Sequence, residues 1–83
     1  MASTHYCTVW DAGSSSADEE VYIVLEDSEG EFPARWFRAD MRHRKEFLAA
    51  ALTAMSAGLR VLAEIEDKDQ ENSRIIRLFA TRR

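Results

Sequence analysis

The stretch MRHRKEFLAAALTAMSAG at residues 41–58 decides the fold, because it is the one segment of the chain that reads as a helix. Met41, Leu48, Leu52 and Met55 recur at helical spacing, and Phe47 and Ala51 widen the stripe. The spacing predicts a helix from Met41 to Ala57 that buries this side and leaves Arg42, Lys45 and Glu46 largely outside. Asp40 stands where an N-cap belongs, and Gly58 suits the left-handed position that ends a helix.

Working outward, every other regular segment reads as a strand. Downstream, Leu59, Val61, Ala63 and Ile65 alternate with Arg60, Leu62, Glu64 and Glu66, the period-2 pattern of a half-buried strand. A polar loop over residues 67–73 leads to a last strand from Ile75 to Thr81, with Ile76, Leu78 and Ala80 on one face and Ile75, Arg77 and Phe79 on the other. Upstream, residues 32–38 read as a strand in which Pro33 must lie at the start or on an edge. A turn at residues 27–30 joins it to Val21-Tyr22-Ile23-Val24-Leu25. That strand is apolar on both faces, so it needs cover from the core on one side and from a helix or a neighbouring subunit on the other. His5 to Asp11 is rich in aromatic and β-branched residues and reads as the first strand, and residues 12–20 read as a flexible loop.

The resulting order, β-β-β-α-β-β, is that of a mainly β domain with one helix: an OB-type five-stranded barrel occupying residues 1–83 as a single domain. Eighty-three residues, 46% hydrophobic and 31% charged, suffice for one core, and so small a core makes association between subunits an expected source of stability. The single cysteine, Cys7, excludes an internal disulfide and reads as a small buried or edge residue. No long apolar run suggests a membrane span, and no secretion signal is visible, so the chain as given reads as cytosolic by default and as secreted if a signal peptide has been removed.

A net charge of −4 at pH 7 makes nucleic acid an improbable partner. The charges are segregated, however: Arg35, Arg38, Arg42, Arg44 and Lys45 form one basic group, and acids gather at residues 18–20, 26–31 and 64–71. Such a pattern suits head-to-tail contact between copies, with Arg35, Arg38, Arg42 and Lys45 of one facing Glu64 and Glu66 of the next. A solvated mixed surface would look the same.

For ligand binding, Tyr6, Trp10, Tyr22 and Trp36 are the residues to examine. Aromatic faces stack on the C–H face of a sugar ring while nearby serine, aspartate or arginine groups bond its hydroxyls; in a small barrel such residues also serve as core or interface. Ser14, Ser15 and Ser16 beside Asp18 offer polar contacts or a plain linker. His5 and His43 have no partner at ligand spacing, and Asp67, Asp69 and Glu71 lack the glycine and terminal acid of a calcium loop, so no metal site and no cofactor is expected. With no nucleophile elbow, paired-carboxylate context or glycine-rich phosphate loop, no catalytic residues are expected either.

Val21–Leu25, then Arg35-Trp36-Phe37, then the helix running through Gly58 into Leu59-Arg60-Val61, resemble a group of small bacterial OB-fold proteins similar to the B subunits of AB5 toxins. The likeness is to the subtilase-cytotoxin and typhoid-toxin type and covers roughly residues 20–80. It implies a homopentameric ring with helices lining a central pore, glycan binding on the outer barrel surface, and a separate enzymatic subunit carried by the ring. The chain departs from the toxin members in having no visible signal and no second cysteine for their common disulfide. The functional expectation is a non-catalytic oligomeric module that binds glycans. Its alternatives are a cytosolic scaffolding homo-oligomer with a protein partner, and a single-stranded nucleic-acid-binding OB domain.

Overall fold

The computed structural model describes all residues from Met1 to Arg83. Five strands, β1 (Ser3–Ser14), β2 (Val21–Asp27), β3 (Arg35–Ala39), β4 (Arg60–Ile65) and β5 (Arg74–Thr81), close into a barrel in the order β1-β2-β3-β5-β4. All neighbours are antiparallel except β3 and β5, which pair in parallel. One helix, α1 (Arg44–Ala57), lies between β3 and β4 in the chain. The architecture is a mainly β, OB-type barrel with a single helix, as the element order predicts.

Alternation fills the interior. His5, Cys7 and Val9 of β1, Val21, Ile23, Leu25 and Asp27 of β2, Phe37 and Ala39 of β3, and Val61, Ala63 and Ile65 of β4 all point inward and are buried. Two irregularities break the period of two. In β1, Val9 faces Leu25 and Asp11 faces Val24, so Trp10 is an extra residue bulged outward. In β5, Arg77 faces Glu64 and Ile75 faces Ile65, so Ile76 is extra. That bulge corrects the expected faces of the last strand: Ile75 and Leu78 are the buried pair, Ile76 is half-buried and Ala80 is exposed. One inserted residue is enough to move the following side chains to the opposite face.

The strand ends also differ from expectation. β1 continues through Ala12, Gly13 and Ser14, which pair with Ile23, Tyr22 and Val21, so the connection to β2 is confined to residues 15–20. Ladder bonds come from the backbone, and small polar side chains do not prevent them when a partner strand is adjacent. β3 begins only at Arg35; Phe32 stays in the preceding turn, buried, with its ring 5.3 Å from Phe37 and 5.2 Å from His5.

The helix begins later than predicted. Met41–His43 form a 3₁₀ turn, and Asp40 makes no side-chain capping bond. Gly58, at φ 68°, ends α1 in the left-handed conformation and donates its N–H to the Ala54 carbonyl. The buried stripe is Phe47, Ala51 and Ala54, whereas Met41, Leu52 and Met55 are exposed and Leu48 is half-buried. Phe47 and Ala51, expected to widen the stripe, form its centre together with Ala54, so the buried face is turned by one residue, about 100° around the axis, from Leu48, Leu52 and Met55. Small residues at 51 and 54 let the helix approach the barrel closely, which turns the longer Leu52 and Met55 outward.

β2 needs no neighbouring subunit for its outer face. Val24 is only 8% exposed in the single chain, where it sits opposite Trp36 of β3 and beside the bulge that carries Trp10. The chain itself covers both sides of the strand.

Cys7 is fully buried on β1, and its thiol is pushed up to about 12, first by burial and then by the negative charge of Asp27. The neutral thiol is therefore retained in the folded state. Native protein is expected to resist a thiol reagent at neutral pH and to react only when unfolded. The sign for stability follows from a folded value above the ordinary 9.0: the contribution is complete below pH 9.0 and is lost as pH rises toward about 12. An alkaline denaturation series on the wild type and Cys7→Ala checks this, the variant lacking that part of the loss.

Candidate functional site

The outer surface of β1, β2 and β3 gathers three of the aromatics singled out in the sequence. β2 turns Tyr22 outward between its buried neighbours Val21 and Ile23, and β3 turns Trp36 outward beside buried Phe37. Their rings meet edge to face, 6.3 Å between centroids at 88°. The bulge in β1 adds Trp10, whose Nε1–H donates to Glu26 Oε1 at 2.9 Å. Trp10 is 55% exposed and Trp36 44%, so both indoles leave a large apolar area open to solvent.

Beside the Tyr22–Trp36 pair lies a surface cleft of about 290 Å³, walled by Asp11, Gly13, Ser14 and Ser15 at the end of β1. The Tyr22 hydroxyl donates to Asp18 Oδ2 at 2.7 Å, tying the β1–β2 connection to the aromatic pair. The Asp18 carboxyl is held below the usual carboxylate range, chiefly by the Glu20 N–H that donates to Oδ1 at 3.0 Å and then by the Tyr22 hydroxyl. The same bond raises Tyr22 above its ordinary value, because ionisation would set two negative charges face to face. At neutral pH the pair is a charged carboxylate and an intact phenol.

On the opposite side, the β4–β5 connection is bound to β3: Asn72 N–H donates to the Trp36 carbonyl at 2.9 Å, and Arg38 Nε–H donates to the Asn72 carbonyl at 3.1 Å. The aromatic surface is thus flanked by the two loops and the β2–β3 face with which OB barrels commonly hold oligonucleotides and oligosaccharides. Its charges are Asp11, Asp18, Glu20 and Glu26 against Arg38, with Glu19, Arg44 and Lys45 on the far side of the Ser14–Ser15 edge. A surface of that sign repels phosphate backbones and other polyanions.

Tyr6 does not join this group. It faces Leu62 of β4 across the barrel wall, and its hydroxyl accepts from Arg83 Nη1 at 3.4 Å. Of the expected interface residues, Glu64 pairs with Arg77 at 3.1 Å and Glu66 with Arg74 at 2.7 Å within the same chain. Arg35 donates to the Lys68 carbonyl at 3.1 Å and lies 6.0 Å over the Phe32 ring, and Arg38 is engaged with Asn72. Arg42, 4.0 Å from Asp40, and Lys45 project from the start of the helix. His43 stacks on Phe47 at 5.9 Å, whereas His5, expected to lack ligand partners, lies beside Asp27 and Glu31.

Glu26 and Asp11 went unmarked as site residues in the sequence. Glu26 stands sixteen residues from Trp10, and only the strand register brings them together. The period-2 pattern places Glu26 outward but does not say what lies across from it.

No family model matches the chain, and comparison with curated proteins and with solved structures finds no match.

Proposed function

We propose that the chain is a non-catalytic carbohydrate-binding module whose ligand lies on the outer face of β1, β2 and β3. The observation that carries this reading is the mutually braced Tyr22–Trp36 pair opening onto a 290 Å³ cleft edged by the Asp11 carboxylate and serine hydroxyls, with exposed Trp10 further along the same outer face. Indole and phenol faces remove the C–H face of a pyranose from water, while Asp11 and the hydroxyls of Ser14 and Ser15 accept or donate hydrogen bonds at its rim. Tyr22 is already fixed by its bond to Asp18, and Trp36 by packing on Tyr22, so these rings lose little entropy on binding. The predominance of carboxylates selects neutral sugars over acidic ones and weighs against single-stranded nucleic acid. An array of neutral and acidic glycans tests the reading; binding confined to neutral glycans supports it, and salt-sensitive oligonucleotide binding without glycan binding replaces it.

A second part of the proposal is self-association. The resemblance to AB5 B subunits implies a five-membered ring, and α1 presents exposed Leu52 and Met55, with half-buried Leu48 on the same side, to a second copy. A ring would present several weak sugar sites together and raise avidity. Light scattering is expected to give about five times the 9.5 kDa chain mass; a persistent monomer removes the ring.

A further inference from the structure

We propose that His5, Asp27 and Glu31 form a site for a single divalent metal ion of the zinc class, at the end of the barrel where β1 meets the turn after β2. His5 Nδ1 lies 3.6 Å from Asp27 Oδ1 and 3.9 Å from Glu31 Oε2, and one ligand atom from each of the three residues falls within 4.8 Å of the others. The site is independent of the aromatic surface.

Three observations point to a cation rather than to a simple ion pair. The first is the spacing. A buried imidazolium facing a carboxylate closes to about 2.7–2.9 Å. Here Nδ1 stands off from two carboxylate oxygens, beyond hydrogen-bond length to either, although the His5 side chain is only 4% exposed. Ligands at zinc bond lengths and tetrahedral angles are separated by about 3.4 Å, so the two nitrogen–oxygen distances would close by a few tenths of an ångström and the carboxylate oxygens, within 4.8 Å of each other, by up to about 1.4 Å, a shift the exposed Glu31 side chain can make. The second is the other ring nitrogen. His5 Nε2 is 2.7 Å from Ser3 Oγ, and a proton held there leaves the Nδ1 lone pair aimed at the carboxylates. Metal-bound imidazoles are oriented by such a bond from the second nitrogen.

The third is the way the carboxylates are held. Asp27 is buried, and its Oδ2 accepts the Glu31 N–H at 2.7 Å, which leaves Oδ1 toward His5. Gly30, at φ 80°, reverses the chain so that Glu31 returns over Asp27, and Phe32 seats its ring edge-on to His5 at 5.2 Å. Lys68 Nζ lies 3.9 Å from the Glu31 oxygen that does not face His5. β1 and the turn thus bring one nitrogen and two oxygens within 4.8 Å of one another before any ion arrives. Three protein ligands leave further coordination positions to water. Bound metal would clamp the β1 strand to the turn between β2 and β3.

The test is zinc titration of the full chain after dialysis against a chelator, read by calorimetry and by the His5 imidazole nitrogen resonances. Saturable binding of one ion per chain is expected, with the Nδ1 resonance moving and Nε2 staying protonated. At a hundredfold excess over Kd the melting temperature is expected to rise by about 10 °C or more. Because Glu31 is exposed, Glu31→Gln folds normally and should weaken zinc at least about tenfold. Asp27→Asn should weaken it further. Absence of saturable binding overturns the site, as does binding that neither moves the His5 Nδ1 resonance nor weakens in Glu31→Gln.

Discussion

Phe37→Ala is expected to bring the chain to the edge of unfolding at room temperature. Phe37 is fully buried, the largest side chain so placed, and its ring is packed at 71° against buried Phe32. It lies on β3, the strand that joins β2 on one side to β5 on the other and so closes the barrel. Truncating a buried phenylalanine costs about 3–5 kcal/mol, the lost transfer energy plus the cavity. A domain of 83 residues has a total stability of about 4–12 kcal/mol. Thermal melting followed by circular dichroism should show the midpoint falling by at least about 12 °C, or no cooperative transition. Phe79→Ala is the control: Phe79 is exposed on the outer face of β5, and its loss should change stability by no more than about 0.5 kcal/mol. A fall of only a few degrees for Phe37→Ala would mean that the barrel interior is not where the register places it.

Trp36→Ala should separate ligand binding from folding. The indole is 44% exposed, so the barrel survives its loss, with a modest destabilisation from uncovering Val24 across the strand pair. Removing it deletes one wall of the cleft and the partner of the Tyr22 ring. A central aromatic anchor contributes about 2 kcal/mol or more to binding, so glycan affinity should fall at least about thirtyfold. Trp36→Phe should recover part of it. A loss below about threefold, in a variant with an unchanged circular dichroism spectrum, would remove Trp36 from the site.

Much of this architecture is readable from local pattern. The apolar run Val21–Leu25, the alternation in Val61–Ile65, and Gly58 after a small-residue helix place the strands and the helix end without reference to anything distant. The departures share one physical origin, which is dependence on a partner across the sheet or the core. The bulges at Trp10 and Ile76 arise from register against β2 and β4, and no property of those residues alone announces them. The helix rotates to bury Ala51 and Ala54 because the barrel accepts close approach there, a fact of its surface and not of helical spacing. The same distinction separates the candidate site residues. Aromatics can be suspected from type, as Tyr6, Trp10, Tyr22 and Trp36 are, but type alone does not say that Tyr6 lies apart from the other three. Glu26, and the approach of Asp27 and Glu31 to His5, depend on register and on the turn at Gly30.

The central claim is that the aromatic outer face of β1, β2 and β3 holds a neutral sugar, and a glycan array probed in parallel with wild-type protein and Trp36→Ala tests it most directly. The account predicts wild-type binding to neutral glycans, insensitive to salt and lost in the variant. No binding to any glycan by the folded protein, or binding that Trp36→Ala leaves intact, would contradict it.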